Sequence, residues 1–267
     1  MDRGKEIEEV TMIQLSPFFL IYFSFLAIVC GLIFGSFICC AASRYVAGVP
    51  WFRGRSHCDA CGHTLGLRDL VPVLSFLALK GRCRYCGHRI ERDCIFSELL
   101  LAGVFLLCLL RFDVTPELAR ALLLCGVLLA ISLIDFVTYT IPNGLLLFAI
   151  GVWVVFLPFC GGFLQGLVGA FGISVPLLLL VLLMERLLQK DAMGGGDIKL
   201  LFVTGLFLGI GGNFLNLMFS CVLGLLFALL AGKKKDVAIP FGPAIAGGTV
   251  LTFLVGEPIL AWYFSLF

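Results

Sequence analysis

The chain has 267 residues, 61% of them hydrophobic and 13% charged, with a mean hydropathy of +1.10. A soluble globular domain averages about 45–50% apolar residues, so this composition excludes a water-soluble domain and points to an integral membrane protein whose solvent is the lipid bilayer. A net charge of +2 is too small to draw in nucleic acid, and no nucleic-acid partner is expected.

Residues 1–15, MDRGKEIEEVTMIQL, are mixed in charge with an acidic excess and lack the positive opening of a signal peptide. The first apolar run, from about Ser16 to Ala42, is also too long for a signal core and reads as a retained spanning helix. The one long polar segment follows, from Ser43 to Asp93. Apolar runs then recur at about 94–110, 117–134, 144–160, 164–188, 198–210, 214–231 and 241–266, which predicts eight spans in all. The expected architecture is all-α and polytopic. Residues 1–42 form a tail and first transmembrane helix, 43–93 a small cytoplasmic domain, and 94–267 a seven-helix membrane domain.

Eight spans sort the basic residues. The polar segment holds Arg44, Arg53, Arg55, Arg68, Lys80, Arg82, Arg84, Arg89 and Arg92, and the same side receives Arg186, Lys190, Lys199, Lys233, Lys234 and Lys235. Only Arg3, Lys5, Arg111 and Arg120 fall on the other side. Cytoplasmic loops carry such an excess, so the polar segment is placed in the cytoplasm and both termini across the membrane from it.

Twelve cysteines divide into two groups. Cys30, Cys39, Cys40, Cys94, Cys108, Cys125, Cys160 and Cys221 are scattered through apolar runs and read as small core residues. The others form Cys58-x-x-Cys61 and Cys83-x-x-Cys86, 21 residues apart, each followed by Gly-His. Two such knuckles bring four thiolates to one tetrahedral ion, which suits zinc. Two disulfides are disfavoured in a reducing cytoplasm. Four thiolates close the site, so His63 and His88 are expected at the surface and the metal is expected to brace the domain without doing chemistry.

Acids near spans are few, which makes each a candidate. Asp135 ends the third run in LLAISLIDFVTYTIPNG, and Asp197 opens the sixth in MGGGDIKL. Both fall at cytoplasmic helix ends at similar depth, where they can face one another. Paired carboxylates share a proton, so one serves as general base to water while the other donates, an arrangement suited to peptide hydrolysis. Gly194, Gly195 and Gly196 would then admit an extended substrate backbone, and Lys199 would stay at the interface. Two other readings stay open: Asp197 as a simple helix cap, and the pair as the site of an ion-coupled transporter. Glu98 and Glu185, at helix ends where solvent is near, are weaker candidates.

These residues, with GLIFGSF at 31–37, RDLVPVLSFLALKGRCRYCG at 68–87, the D-x6-P of DFVTYTIPN, GGGDIKLL and IPFGPAIAGG at 239–248, resemble the bacterial type IV prepilin peptidases over nearly the whole chain. The resemblance implies an inner-membrane aspartyl protease of the GxGD class with Asp135 and Asp197 as its catalytic pair, and Pro142 and Asn143 join the glycines and Lys199 as substrate-supporting residues. It implies prepilin and pseudopilin substrates, cut after a glycine at the cytoplasmic face, and methylation of the new N-terminus with S-adenosylmethionine. Glu98 matches a family acid beyond the second knuckle. One departure is visible: the family continues GSFLNVVIYRLP, whereas this chain has GSFICCAASRYVAG, with Cys39 in place of the asparagine. A peptidase lacking the methyltransferase activity is therefore the alternative. Val137 stands where some members carry a second acid, so Asp135 is expected to act alone at its end of the site.

Overall fold

The protein is described from a computed structural model covering residues 17–50, 54–58, 60–90, 93–160, 162–189, 194–230 and 240–266. Helix α1 spans Pro17–Val46, the short α2 Leu74–Ala78, α3 Asp93–Phe112, α4 Pro116–Thr138, α5 Asn143–Cys160, α6 Phe163–Leu188, α7 Gly195–Leu230 and α8 Gly242–Phe264. Seven of them are long and apolar enough to cross a membrane. The largest buried cluster joins α4, α5, α7 and α8 through Leu124, Ile131, Ala149, Leu200, Leu201 and Ile245.

Local chemistry sets several helix ends. Thr115 caps α4 by accepting the Leu118 N–H on Oγ1 at 3.3 Å, and Pro116 follows where a missing N–H costs nothing. At the other end of α4, Tyr139 takes the left-handed conformation and its N–H bonds to the carbonyl of Asp135 at 2.9 Å.

Helix α7 is two limbs, not one rod. Asn213 Nδ2 donates to the Leu201 carbonyl at 3.1 Å, although a continuous helix would hold these residues about 18 Å apart. Asn216 Nδ2 likewise reaches Thr204 Oγ1 at 3.1 Å. The chain doubles back at Gly209, whose φ of 68° and ψ of −178° lie in a region essentially reserved for glycine. The sixth and seventh apolar runs are therefore the two limbs of α7, and eight segments run through the bundle. The asparagine and threonine side chains satisfy one another in a fully buried position, which lets polar groups hold the hairpin in an apolar interior.

Helices α1 and α3 pack in antiparallel register along a ladder of small residues. A Cβ at Gly31 would lie 2.5 Å from Ala102 Cα, and one at Gly35 would lie 2.7 Å from Glu98 Cα. Four residues further on, Cys39 and Cys94 form the next rung as a disulfide. This corrects the expectation that both are simple apolar filling: their spacing of four from Gly35 and Glu98 puts them on the contact ridge, where small side chains let backbones meet. Among the other six, Cys108 and Cys125 are buried as expected, whereas Cys221 faces outward.

Alternating direction places Arg44, Arg186, Asp135, Asp197 and the knuckle segment at one end of the bundle. Arg111 lies at the other, paired with Glu257 of α8. Arg3, Lys5, Arg53, Arg92, Lys190 and Lys233–Lys235, used in the charge argument, lie outside the described residues.

Candidate active site and metal centre

Asp135 stands in the last turn of α4 and Asp197 in the first turn of α7. The structure puts both at the same end of the bundle, where Gly196, next to Asp197, packs on Ile141 of the loop that follows Asp135. Their surroundings differ. Asp135 is buried and its Oδ2 accepts the N–H of Gly242, the first residue of α8, at 3.0 Å. Asp197 is half-exposed, and its backbone N–H closes a turn to the Gly194 carbonyl at 3.1 Å.

The glycines before Asp197 do separate things. A Cβ at Gly194 would stand 3.1 Å from Asp197 Oδ2, so its bare face keeps the space beside the carboxylate open. A Cβ at Gly196 would press on Ile141 at 3.3 Å, so this glycine seats α7 against the loop that follows Asp135. Gly195 has no neighbour within 4 Å of such a position and is exposed. Pro142 starts α5 by offering its carbonyl to Leu145, and Asn143 Oδ1 accepts from Lys199 Nζ at 3.3 Å, which links α5 to α7 beside the carboxylates.

Sequence reasoning gave no role to Gly242. It stands in the quoted IPFGP stretch, but its purpose appears only when α8 meets α4: a Cβ there would lie 2.6 Å from Asp135 Oδ2. No local pattern announces a contact between residues so far apart in the chain.

The four knuckle cysteines converge, with all four sulfurs within 4.8 Å of one another. The knuckles are near copies. In the first, Cys58 N–H bonds to the His63 carbonyl and Gly62 N–H to the Cys58 carbonyl; in the second, Cys83, His88 and Gly87 repeat the pattern. Gly62 and Gly87 supply the required positive φ of 69° and 72°. The Cys61 N–H, with that of Ala60, draws the Cys58 thiol down to about 6, so it is ready to bind as thiolate. The histidines are exposed, as expected, and the His63 ring lies tilted against Tyr85 of the opposite knuckle. Asp69 ties the segment together by accepting from Arg84, Tyr85 and the Gly66 N–H. This cluster can hold a metal ion.

Glu98 departs from its expected solvent-near setting. It is 5% exposed, and its Oε2 accepts the Val73 N–H at 2.8 Å, so it anchors the knuckle segment to α3. Glu185 is half-exposed near the end of α6, where its carbonyl takes the capping N–H of Gln189.

Comparison with known proteins places the chain. Residues 29–112 match the bacterial peptidase A24 N-terminal domain, and residues 122–229 match the type IV leader peptidase family. A prepilin leader peptidase/N-methyltransferase of Bacillus subtilis is 34% identical over 249 residues, covering 88% of this chain and 96% of the relative. One from Aeromonas salmonicida is 33% identical over 83% of this chain and 77% of its own length. A type 4 prepilin-like proteins leader peptide-processing enzyme of Escherichia coli is 32% identical over 74% of each chain. No solved structure matches. The first match takes in the four knuckle cysteines and the second takes in both aspartates, and on that breadth the chain belongs to the type IV leader peptidase family.

Proposed function

We propose that this protein is an aspartic endopeptidase of the bacterial inner membrane. It removes the short basic leader from type IV prepilins and pseudopilins after a glycine, at the cytoplasmic face, and then methylates the new N-terminus. The names borne by its relatives support the substrate and both activities, and they favour a peptidase over an ion-coupled transporter. The observation that carries the catalytic part is the placement of Asp135 and Asp197 at the same end of the bundle, with Gly196 beside Asp197 packed on Ile141 of the loop after Asp135.

The two carboxylates hold one proton between them. The ionised partner takes a proton from water as the water oxygen attacks the scissile carbonyl, and the protonated partner gives its proton to the carbonyl oxygen. Collapse of the tetrahedral species returns a proton to the leaving amine. The Gly242 N–H fixes Asp135 in orientation, leaving Asp197 as the more accessible carboxylate beside the open face of Gly194. Lys199 and Asn143 brace the α5–α7 side of the site.

Zinc fits the four cysteines. A tetrahedral ion with Zn–S bonds of about 2.3 Å has sulfurs about 3.8 Å apart, and Cys58 Sγ and Cys86 Sγ are 3.8 Å apart. The ion would brace the knuckle segment, with no coordination position left for substrate. S-adenosylmethionine would supply the methyl group. The Glu98 carboxylate accepts the Val73 N–H on Oε2, and no methyl-transfer step is assigned to it.

Mass spectrometry of a prepilin incubated with membranes containing the enzyme and with added S-adenosylmethionine tests this reading. The expected product has lost its leader after glycine and gained one methyl group at the new N-terminus. A cleaved, unmethylated product would reject the second activity, and an intact precursor would reject both.

A further inference from the structure

A cavity of about 560 Å³ lies between α5, α6 and the first limb of α7. Its walls are almost wholly apolar, among them Leu147 and Ile150 of α5, Phe171 and Leu178 of α6, and Phe202 of α7. Asn143 and Lys199, bonded to one another, stand at its upper edge. Leu147, Phe171 and Leu178 are exposed on the outer surface of the bundle, so the cavity opens sideways towards lipid.

Away from Asn143 and Lys199, Ser174 is the polar residue in the lining. Ser174 is 4% exposed, and among the described residues its Oγ has no hydrogen-bond partner. Other helical hydroxyls in the bundle bond back to the preceding turn: Ser132 to the Leu128 carbonyl at 2.7 Å, Ser220 to Asn216 at 2.6 Å, Thr249 to Ile245 at 2.8 Å. Ser174 does not. Two residues on, Pro176 has no N–H to give the Gly172 carbonyl, so α6 is under-bonded at this depth. A buried hydroxyl left unpaired costs stability, and its retention beside a cavity points to a partner that arrives from outside.

The cavity begins beside the aspartate site, although neither aspartate lines it. Ile198 and Lys199 line it and directly follow Asp197, and the lining continues to Val203, about 8 Å deeper along the helix. A peptide bond hydrolysed at the rim must leave helical geometry, and its neighbours then expose N–H and C=O groups where water is scarce. The apolar walls can take the side chains of such a segment. A serine hydroxyl both donates and accepts, so it can take one of the backbone groups. A lipid acyl chain would fill the same walls but leave Ser174 unpaired, which favours a peptide.

We propose that this cavity is the subsite for the apolar segment of the peptide substrate adjoining the cleaved bond, with Ser174 Oγ hydrogen-bonded to that segment's backbone. The assignment rests on the peptidase reading above.

The test uses full-length enzyme and a prepilin together in lipid vesicles. Benzoylphenylalanine replaces Leu178, or Val222 on the outer face of the second α7 limb as a control, each in an Asp197→Asn background. Cross-linking to prepilin is expected from position 178 and not from 222. In otherwise wild-type enzyme, Ser174→Ala should raise KM about fivefold, the effect of one hydrogen bond, with kcat unchanged, and Ser174→Thr should restore KM. Adducts only with lipid at position 178, equal cross-linking from 222, or an unchanged KM in Ser174→Ala would each overturn the subsite. Undiminished cleavage by Asp197→Asn would instead overturn the peptidase reading, and the cross-links would then appear on processed product.

Discussion

The Gly242 N–H is hydrogen-bonded to Asp135 Oδ2 at 3.0 Å, joining the start of α8 to the end of α4 across 107 positions of sequence. The contact is possible because residue 242 has no side chain: a Cβ would stand 2.6 Å from that oxygen. Replacing Gly242 with alanine should displace the carboxylate. A misplacement of about 1 Å at a reacting group costs on the order of 100-fold, so Gly242→Ala should lower kcat for leader removal by about that factor, at unchanged protein level in membranes. Wild-type kcat in this variant would show that the bond does not position Asp135.

A Cβ at Gly209 would meet only the Gln165 carbonyl, at 3.8 Å. The cost of Gly209→Ala is therefore conformational. Its φ and ψ should make the variant less stable by about 1–3 kcal/mol, read as a lower thermal midpoint in detergent. An unchanged midpoint would mean that the chain does not reverse there.

The four-sulfur cluster predicts about one zinc per chain in purified protein, measured by elemental analysis, and its loss in Cys83→Ser. Because the ion braces the segment and leaves peptide hydrolysis to the aspartates, chelation should increase proteolytic nicking within residues 54–90 while leader removal continues.

The thiol of Cys58 is drawn down to about 6 by the N–H groups of Cys61 and Ala60. Thiolate is the reactive form, so the group is reactive above its pKa and protected below it. In metal-stripped protein, alkylation of Cys58 should reach half its maximal rate at about pH 6, whereas an ordinary thiol does so near pH 8.5. A midpoint near 8.5 would show that the backbone donors do not hold the thiolate.

The parts of this molecule that were legible in sequence are those whose chemistry is local or rare. Cys58, Cys61, Cys83 and Cys86 announce a metal site because each pair must sit on one tight turn, and the turn is written in the Gly-His that follows. Asp135 and Asp197 stood out because acids are costly in apolar runs. Long-range register was not legible. The spacing of Gly31, Gly35 and Cys39 shows a small-residue ridge, but only the docked α3 shows that Ala102, Glu98 and Cys94 face it, and so that two cysteines meet. The reversal in α7 was placed within a few residues, since Gly209, Gly211 and Gly212 compete as breakers; the bonds of Asn213 and Asn216 show that the limbs meet, and the backbone of Gly209 marks where the chain turns. Glu98 looked solvent-near from its place at a helix start, and burial under the knuckle segment reverses that.

The account turns on the two aspartates. Initial rates of leader removal from a prepilin, measured in membranes with Asp135→Asn and Asp197→Asn separately, test it most directly. Each substitution keeps the side-chain shape and removes the acid–base function, so each should slow cleavage by about 100-fold or more, with both variants present at wild-type levels. Cleavage at the wild-type rate by either variant would contradict a shared carboxylate mechanism.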